Sequence, residues 1–393
     1  MAGMRLADRM ARLGTESAFE VLARARALEA AGVDVLHLEI GEPDAATPAH
    51  VVAAGQEALA RGLTHYVPAP GTPELREAVA AFLERTGRLR TSPDRVVVTP
   101  GAKPIMFFTI LALCQPGDEV LYPDPGFPMY ASIAAFAGAR PVAVPLREAN
   151  RFRMDPAELA SLVTDRTRLV ILNSPHNPCG SGLTQEDVEA IAAVALERDL
   201  VVLSDEVYWA IRYGGGHPSV LSVDGMADRT VLLDGWSKTF AMTGWRLGFG
   251  VLPAPLVEPV TRLVVNSVSC TAAFSQHAAI AALEGPWAPV AAMVASLRER
   301  RDLVVAGLNA IEGIACQEPD GAFYAFPRVA DLGLPAATLA DRLLAEAGVA
   351  CLPGTAFGPA GEGYLRLSYA TSADTLRRAV ERIGALVGGL HGA

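Results

Sequence analysis

The sequence predicts an α/β protein: a large, doubly wound, mostly parallel sheet between helices, followed by a small α+β domain. Three observations predict it. Short hydrophobic runs, Leu169-Val-Ile-Leu172, Leu200-Val-Val-Leu203 and Val231-Leu-Leu233, stand between helix-like stretches, as buried parallel strands do. Around them, from Val96 to about Leu252, strand and helix patterns alternate regularly. Beyond a long helical stretch at 288–311 come short segments at 322–326, 339–347 and 364–368 and a closing helix at 373–386, the pattern of a small α+β unit.

The elements follow in order. Residues 1 to about 14 read as an arm. Residues 17–32 are rich in Ala, Leu and Arg at helical spacing and end at Gly32. Residues 35–40 form a short strand, broken by Gly41-Glu-Pro-Asp44, and 50–61 and 73–86 read as helices. Arg298, Arg300 and Arg301 are expected on a solvated face of the long helix. The expected division is an arm with part of the small domain at 1–46, a large cofactor-binding domain at 47–287 and a small C-terminal domain at 288–393.

Composition narrows the partners. The chain has 393 residues, 51% of them hydrophobic, enough for a large core and a smaller second one. Its net charge of −10 comes without a basic stripe, so nucleic acid and anionic membranes are not expected partners. The five cysteines are scattered and lack Cys-x-x-Cys spacing. No disulfide framework or metal site is signalled, which fits a reducing cytoplasm. The longest apolar stretch, 105–114, is too short to span a bilayer.

Each of the three runs ends in a polar residue, and ligands sit at the carboxyl ends of strands in open α/β sheets. The first ends at Asn173, with Asn177 four residues on. The second ends at Ser204-Asp205, with Tyr208 one turn later. The third ends at Asp234, followed by Gly235-Trp-Ser-Lys238. An amide, a carboxylate, a phenol and a lysine thus converge on one crevice. That set can hold and use an aldehyde cofactor with a pyridine ring.

A lysine past a buried strand can form a Schiff base when burial and neighbouring cations lower its pKa. A lone lysine is more often a surface residue, but Arg246 follows Lys238 by eight residues in a loop of small residues, placed to fork onto a phosphate. The glycines of Thr243-Gly-Trp-Arg-Leu-Gly-Phe-Gly250 have the wrong spacing for a dinucleotide loop and precede a strand. Asp205, at a strand end, needs a cationic partner if buried, unless it caps the next helix. Asn177 is held between Pro175 and Pro178. Thr99-Pro-Gly-Ala-Lys103 is a strand-to-helix turn able to offer N–H groups to a phosphate. Arg366, in the apolar strand Tyr364-Leu-Arg-Leu-Ser368, suggests a buried fork for a carboxylate, the alternative being an edge arginine facing water.

These residues resemble a known family. Gly235-x-Ser-Lys-x-x-Ala-Met-x-Gly-x-Arg-Leu-Gly248 looks like the lysine signature of class I/II aminotransferases, which use pyridoxal 5′-phosphate on the fold type I scaffold. The likeness runs nearly end to end. It takes in Ile40-Gly-Glu-Pro43, His65-Tyr66, Pro100-Gly-Ala-Lys103, Asn173 to Gly180, Ser204-Asp-Glu-Val-Tyr208, Gly321-Ala-Phe-Tyr324 and Leu365-Arg-Leu-Ser-Tyr-Ala370. The pattern is closest to the short-chain bacterial branch labelled as aspartate aminotransferases.

The resemblance implies a seven-stranded sheet and a role for each matched residue. Lys238 would carry the cofactor and move the proton. Asp205 would pair with the pyridine nitrogen, and Tyr208 and Asn177 would bond the ring oxygen. Arg246, Ser237 and the backbone of Gly101, Ala102 and Lys103 would hold the phosphate, joined by Tyr66 of a second copy in a homodimer. Phe127 would stack on the ring. Arg366 would fork the substrate α-carboxylate, with Gly41 and Asn177 assisting.

The sequence also departs from the family. Gly235 replaces a serine common in relatives, Trp236 is unusual, and Phe127 stands for a tryptophan or tyrosine. No arginine is identifiable for a distal carboxylate. Glu16 and Glu20 point to neutral or cationic substrates, unless they merely line a solvated helix face. The expected reaction is ping-pong transfer of an amino group between an L-amino acid and a 2-oxo acid. A lyase, cyclase or oxidase on the same scaffold is the alternative. A transcription-regulator domain would need a DNA-binding domain that has no room ahead of Ile40, and a dehydrogenase would need the missing dinucleotide loop.

Overall fold

The computed structural model describes residues 4–390, so the first three residues of the expected arm lie outside it. Seven strands form the main sheet. In spatial order they are Val96–Thr99, Gly248–Val251, Thr230–Gly235, Val201–Asp205, Thr167–Asn173, Glu119–Asp124 and Arg140–Pro145. All pairings are parallel except those of Gly248–Val251, which runs antiparallel to both neighbours.

The hydrophobic runs are continuous because both faces of the sheet are covered. Successive side chains alternate between faces. Leu169, Ile171, Val231 and Leu233 pack with helices Lys103–Leu113, Met129–Ala137 and Ala254–Ser267. Val170 and Leu172 join helix Gln185–Glu197, while Leu232 joins Pro73–Arg85 and Ala273–Glu284. Thr184 caps its helix with a reciprocal bond to Asp187, which explains where the strand-to-helix connection stops.

The second layer is built on Leu352–Pro353, Leu365–Ser368 and Tyr324–Ala325, an antiparallel sheet in that order. Helices Ala288–Asn309, Ala336–Ala347 and Ala373–Leu390 cover it through Leu297, Val304, Leu343, Leu376 and Ile383. Leu36 and Leu38 are buried in this same core, and Leu36–His37 pairs in parallel with Val349–Ala350. The expected strand at 35–40 thus shrinks to two residues, because the chain leaves that pairing for the Gly41 turn. No single described helix is long and apolar enough to cross a membrane.

One expectation on the long helix is corrected. Arg298 is exposed and Arg300 pairs with Asp44 at 2.7 Å, but Arg301 is buried. Its position, four after Leu297 and three before Val304, is on the apolar stripe. The guanidinium lies 4.7 Å from the Tyr213 ring and is paired with Asp302 and Glu318.

Candidate active site

A cavity of about 380 Å³ opens where the parallel strands end. Of the predicted site residues, Gly41, Ala102, Lys103, Phe127, Asn177, Asp205, Tyr208, Ser237, Lys238, Arg246 and Arg366 all line it. Gly101 and Tyr66 do not. Gly101 packs behind Arg246, where a Cβ would collide with the guanidinium. Tyr66 is 90% exposed and does not line this cavity.

Lys238 sits in the short helix Trp236–Thr239 that follows the strand Thr230–Gly235. The unusual Trp236 anchors that turn. It is fully buried, its Nε1 donates to the Ala279 carbonyl at 3.2 Å, and its ring meets Phe249 edge-on. Lys238, two residues on, points into the cavity and donates to the Gly41 carbonyl at 2.5 Å. Burial pulls its pKa down to about 8, against the nearby charge of Glu42.

Asp205 ends the neighbouring strand and is buried. It accepts from Tyr130 Oη at 2.7 Å and weakly from the Val207 N–H at 3.4 Å. Among the described residues no lysine, arginine or histidine pairs with it. Burial pushes its carboxyl up to about 6. Asn173 ties this strand end to the next loop: its Nδ2 donates to the Asp205 carbonyl at 3.0 Å and its Oδ1 accepts from the Asn177 N–H at 2.9 Å.

Arg366 is buried, not an edge residue facing water. It lies between the rings of Tyr324 and Phe357, 4.6 and 4.9 Å from their centroids. It donates to the Glu39 carbonyl and, at 3.4 Å, to Asn177 Oδ1, while its Nε has no partner. At the other end, Arg246 is exposed and donates to the Thr243 carbonyl at 2.7 Å. It stands beside the N-terminus of helix Lys103–Leu113, the end of a helix where backbone N–H groups are not all taken up within the helix. Gly248 is required there, since a Cβ would strike the backbone of Ala102. A side chain at Gly235 would likewise meet the Leu247 carbonyl at 2.9 Å, so the departure from serine follows from close packing. Lys103 is paired with Glu16 and lies 5.3 Å from the Phe127 ring centre. Glu20 is exposed and accepts only from Thr15, so the solvated-face alternative holds for Glu20 and fails for Glu16.

Comparison with known proteins decides the family. The model for "Aminotransferase class I and II" matches residues 33–383. The chain belongs to this family. An aspartate aminotransferase of Pyrococcus abyssi is 45% identical over 90% of this chain and 92% of its own. An aromatic-amino-acid aminotransferase of Thermococcus litoralis is 41% identical over 97% of both. The structure of an aspartate aminotransferase from Thermus thermophilus with maleate has a TM-score of 0.94 at 37% identity, covering 98% of this chain and 100% of that one. The aminotransferase therefore has the fold type I architecture and is an enzyme that uses pyridoxal 5′-phosphate in transamination.

The cavity of this aminotransferase fits that cofactor on its own terms. A buried carboxylate without a counter-cation is costly, and a protonated pyridine nitrogen is a group that would compensate Asp205. The turn at Gly101 and Ala102, with Arg246 alongside, suits a phosphate.

Several neighbours of these residues carry no signal of their place in the sequence. Tyr130 lies six residues past Asp124, and only its bond to Asp205 marks it. Behind Asp205, Arg88 bridges Glu206 at 2.8 Å and Asp234 at 2.6 Å. Its partners are more than a hundred residues away, so no local signal exists. Tyr324 was legible as part of Gly321-Ala-Phe-Tyr324, without a role.

Proposed function

We propose that this aminotransferase acts on L-amino acids with neutral, mainly apolar side chains, with residue roles as follows. Bound in the cavity, pyridoxal 5′-phosphate supplies an aldehyde that condenses with amines and a ring that accepts electron density. Lys238 would hold it and, with its Nζ freed by the incoming substrate amine, would take a proton from the substrate α-carbon. A pKa near 8 suits that task, because a useful fraction of Nζ is unprotonated at neutral pH. Asp205 would hold a proton on the pyridine nitrogen. Tyr208 and Asn177 would bond the ring oxygen, and Phe127 would cover the ring. Arg246, Ser237 and the backbone of Gly101, Ala102 and Lys103 would hold the phosphate. Arg366 forks the α-carboxylate, assisted by Gly41 and Asn177.

The observation that carries this reading is the convergence of Lys238, the uncompensated Asp205 and the buried Arg366 on one cavity. Substrate preference rests on what remains of the lining. Its cations are Lys103, Lys238, Arg246 and Arg366, and Lys103 is already paired with Glu16. Phe19, Ile40, Leu352 and Phe357 offer apolar surface. The reading includes a homodimer, supported by the exposure of Tyr66, and the domain division at 46 and 287, supported by Leu36 and Leu38 lying in the core of the C-terminal layer. It also includes a cytoplasmic location, supported by five unpaired cysteines.

Borohydride reduction of the cofactor-loaded protein tests the assignment. The stable label is expected on the peptide holding Lys238; label elsewhere contradicts it. With a panel of amino acids, keto acid formation fastest for apolar side chains supports the substrate class. Ammonia release instead supports a lyase, and preference for dicarboxylates overturns the proposed side-chain preference.

A further inference from the structure

Tyr324 joins parts of the site that come from distant segments. It sits in strand Tyr324–Ala325, directly opposite Ser368 of the neighbouring strand. Arg366, two residues before Ser368, is on the same face, so the ring reaches the guanidinium diagonally. Its hydroxyl meets the hydroxyl of Tyr208 at 2.8 Å. That oxygen also fills the space over Gly41, where a Cβ would collide with it. Gly41 in turn accepts from Lys238 at 2.5 Å. The side chain is almost completely buried, and its hydroxyl has no hydrogen-bond partner other than Tyr208 among the described residues.

We propose that Tyr324 is a positioning residue with two separable parts: its hydroxyl orients and polarises Tyr208 toward the cofactor, and its ring face holds Arg366 for the substrate carboxylate. The inference rests on the roles assigned above to Tyr208 and Arg366. A phenol has one hydrogen to donate and an oxygen able to accept. If Tyr208 donates to the cofactor's ring oxygen, its own oxygen is free to accept from Tyr324. A donor that also accepts is strengthened by polarisation along the chain. A stronger bond to the ring oxygen favours its deprotonated form. On the other side, a ring face over a buried guanidinium fixes its plane without consuming its N–H groups.

Two variants separate the parts. Tyr324→Phe removes only the hydroxyl. The pH midpoint of the bound-cofactor absorbance is expected to rise by about half a unit or more, a free-energy change in the range of one hydrogen bond. Cofactor affinity, read by fluorescence titration of the cofactor-free protein, should fall several-fold, while the KM for the amino acid stays within about twofold. Tyr324→Leu also removes the ring face, and KM should rise by about tenfold, within the range of a desolvated cation–π contact. In the Tyr208→Phe background, Tyr324→Phe should add no further midpoint shift, because the two act as one chain.

An unchanged midpoint and affinity in Tyr324→Phe overturns the hydroxyl role, even if thermal stability falls. An unchanged KM in Tyr324→Leu overturns the ring role. Failure of the unaltered protein to bind cofactor through Lys238 would instead defeat the underlying assignment, and the two failures are distinguishable.

Discussion

Asp205 and Glu206 are consecutive residues at one strand end, both buried, and they live in opposite electrostatic worlds. Glu206 turns away from the cavity. It accepts from Arg88, from His217 Nε2 at 2.8 Å, and from Ser204 and Ser219 at 2.9 and 2.5 Å. Although burial opposes the charge, His217 and Arg88 hold this carboxyl well below the usual range. Asp205 faces the cavity with a phenol and one weak N–H, and burial holds it well above that range. Its backbone neighbour has the Arg88 guanidinium in hand; Asp205 has no such partner among the described residues. The comparison separates structure from function. A compensated buried charge stabilises the chain as it stands, whereas an uncompensated one is tolerated where a ligand completes it.

The largest effect is expected on the compensated side. Arg88 is stacked 4.3 Å from the Trp209 ring, and its truncation removes the only arginine or lysine paired with two buried carboxylates, Glu206 and Asp234, among the described residues. Arg88→Leu should destabilise the fold by roughly 3–5 kcal/mol, seen as a lower denaturant midpoint. Unchanged unfolding would dissolve the contrast.

On the cavity side, Asp205→Ala should spare the fold and lower turnover by on the order of 10²–10³-fold, the scale of losing one preorganised electrostatic partner. Near-normal turnover would remove Asp205 from the mechanism. Arg366→Lys tests the substrate end. Lysine cannot reproduce the planar fork, so kcat/KM should fall for amino acids of every side-chain class by a similar factor, up to about 2–5 kcal/mol. Loss confined to acidic substrates would make Arg366 a reader of the distal carboxylate instead.

The smallest effect concerns Glu16. Glu16→Gln leaves Lys103 unpaired at the mouth, and the ratio of acidic to neutral substrate use should rise by a few-fold, in keeping with an exposed pair worth about 1 kcal/mol or less. An unchanged ratio removes this pair from specificity.

The sequence made the cavity side legible and left the opposite side hidden, for a physical reason. Lys238, Asp205 and Asn177 each stand just past a continuous hydrophobic run, and strand ends on one edge of a parallel sheet must converge. Arg366 stood out as an arginine in an apolar strand, and the motif resemblance added Phe127 to the cavity lining. Arg88, Tyr130 and His217 lie at no strand end, and only tertiary packing brings them to Glu206 and Asp205. Arg301 was misread for a related reason. Three arginines within four residues suggested a wet face, while the helical period carried one of them inward onto Tyr213. Short strands such as Leu36–His37 shrank because their limits are set by pairing, not by hydrophobic pattern.

Thermal unfolding of the unaltered protein and of Asp205→Asn, each with and without pyridoxal 5′-phosphate, tests the central claim most directly. Because the folded-state pKa of Asp205 is raised, its ionisation costs the cofactor-free fold stability as pH rises through the interval between about 4 and about 6. Above that interval the full cost applies, and asparagine escapes it. At pH 7 without cofactor, Asp205→Asn should therefore be as stable as the unaltered protein or more so, by on the order of 1–3 kcal/mol. That advantage should vanish near pH 4, and the variant should gain clearly less stability from saturating cofactor. A variant that is less stable at pH 7 without cofactor, yet gains as much from it as the unaltered protein, would contradict the claim that Asp205 is held in reserve for the cofactor's positive charge.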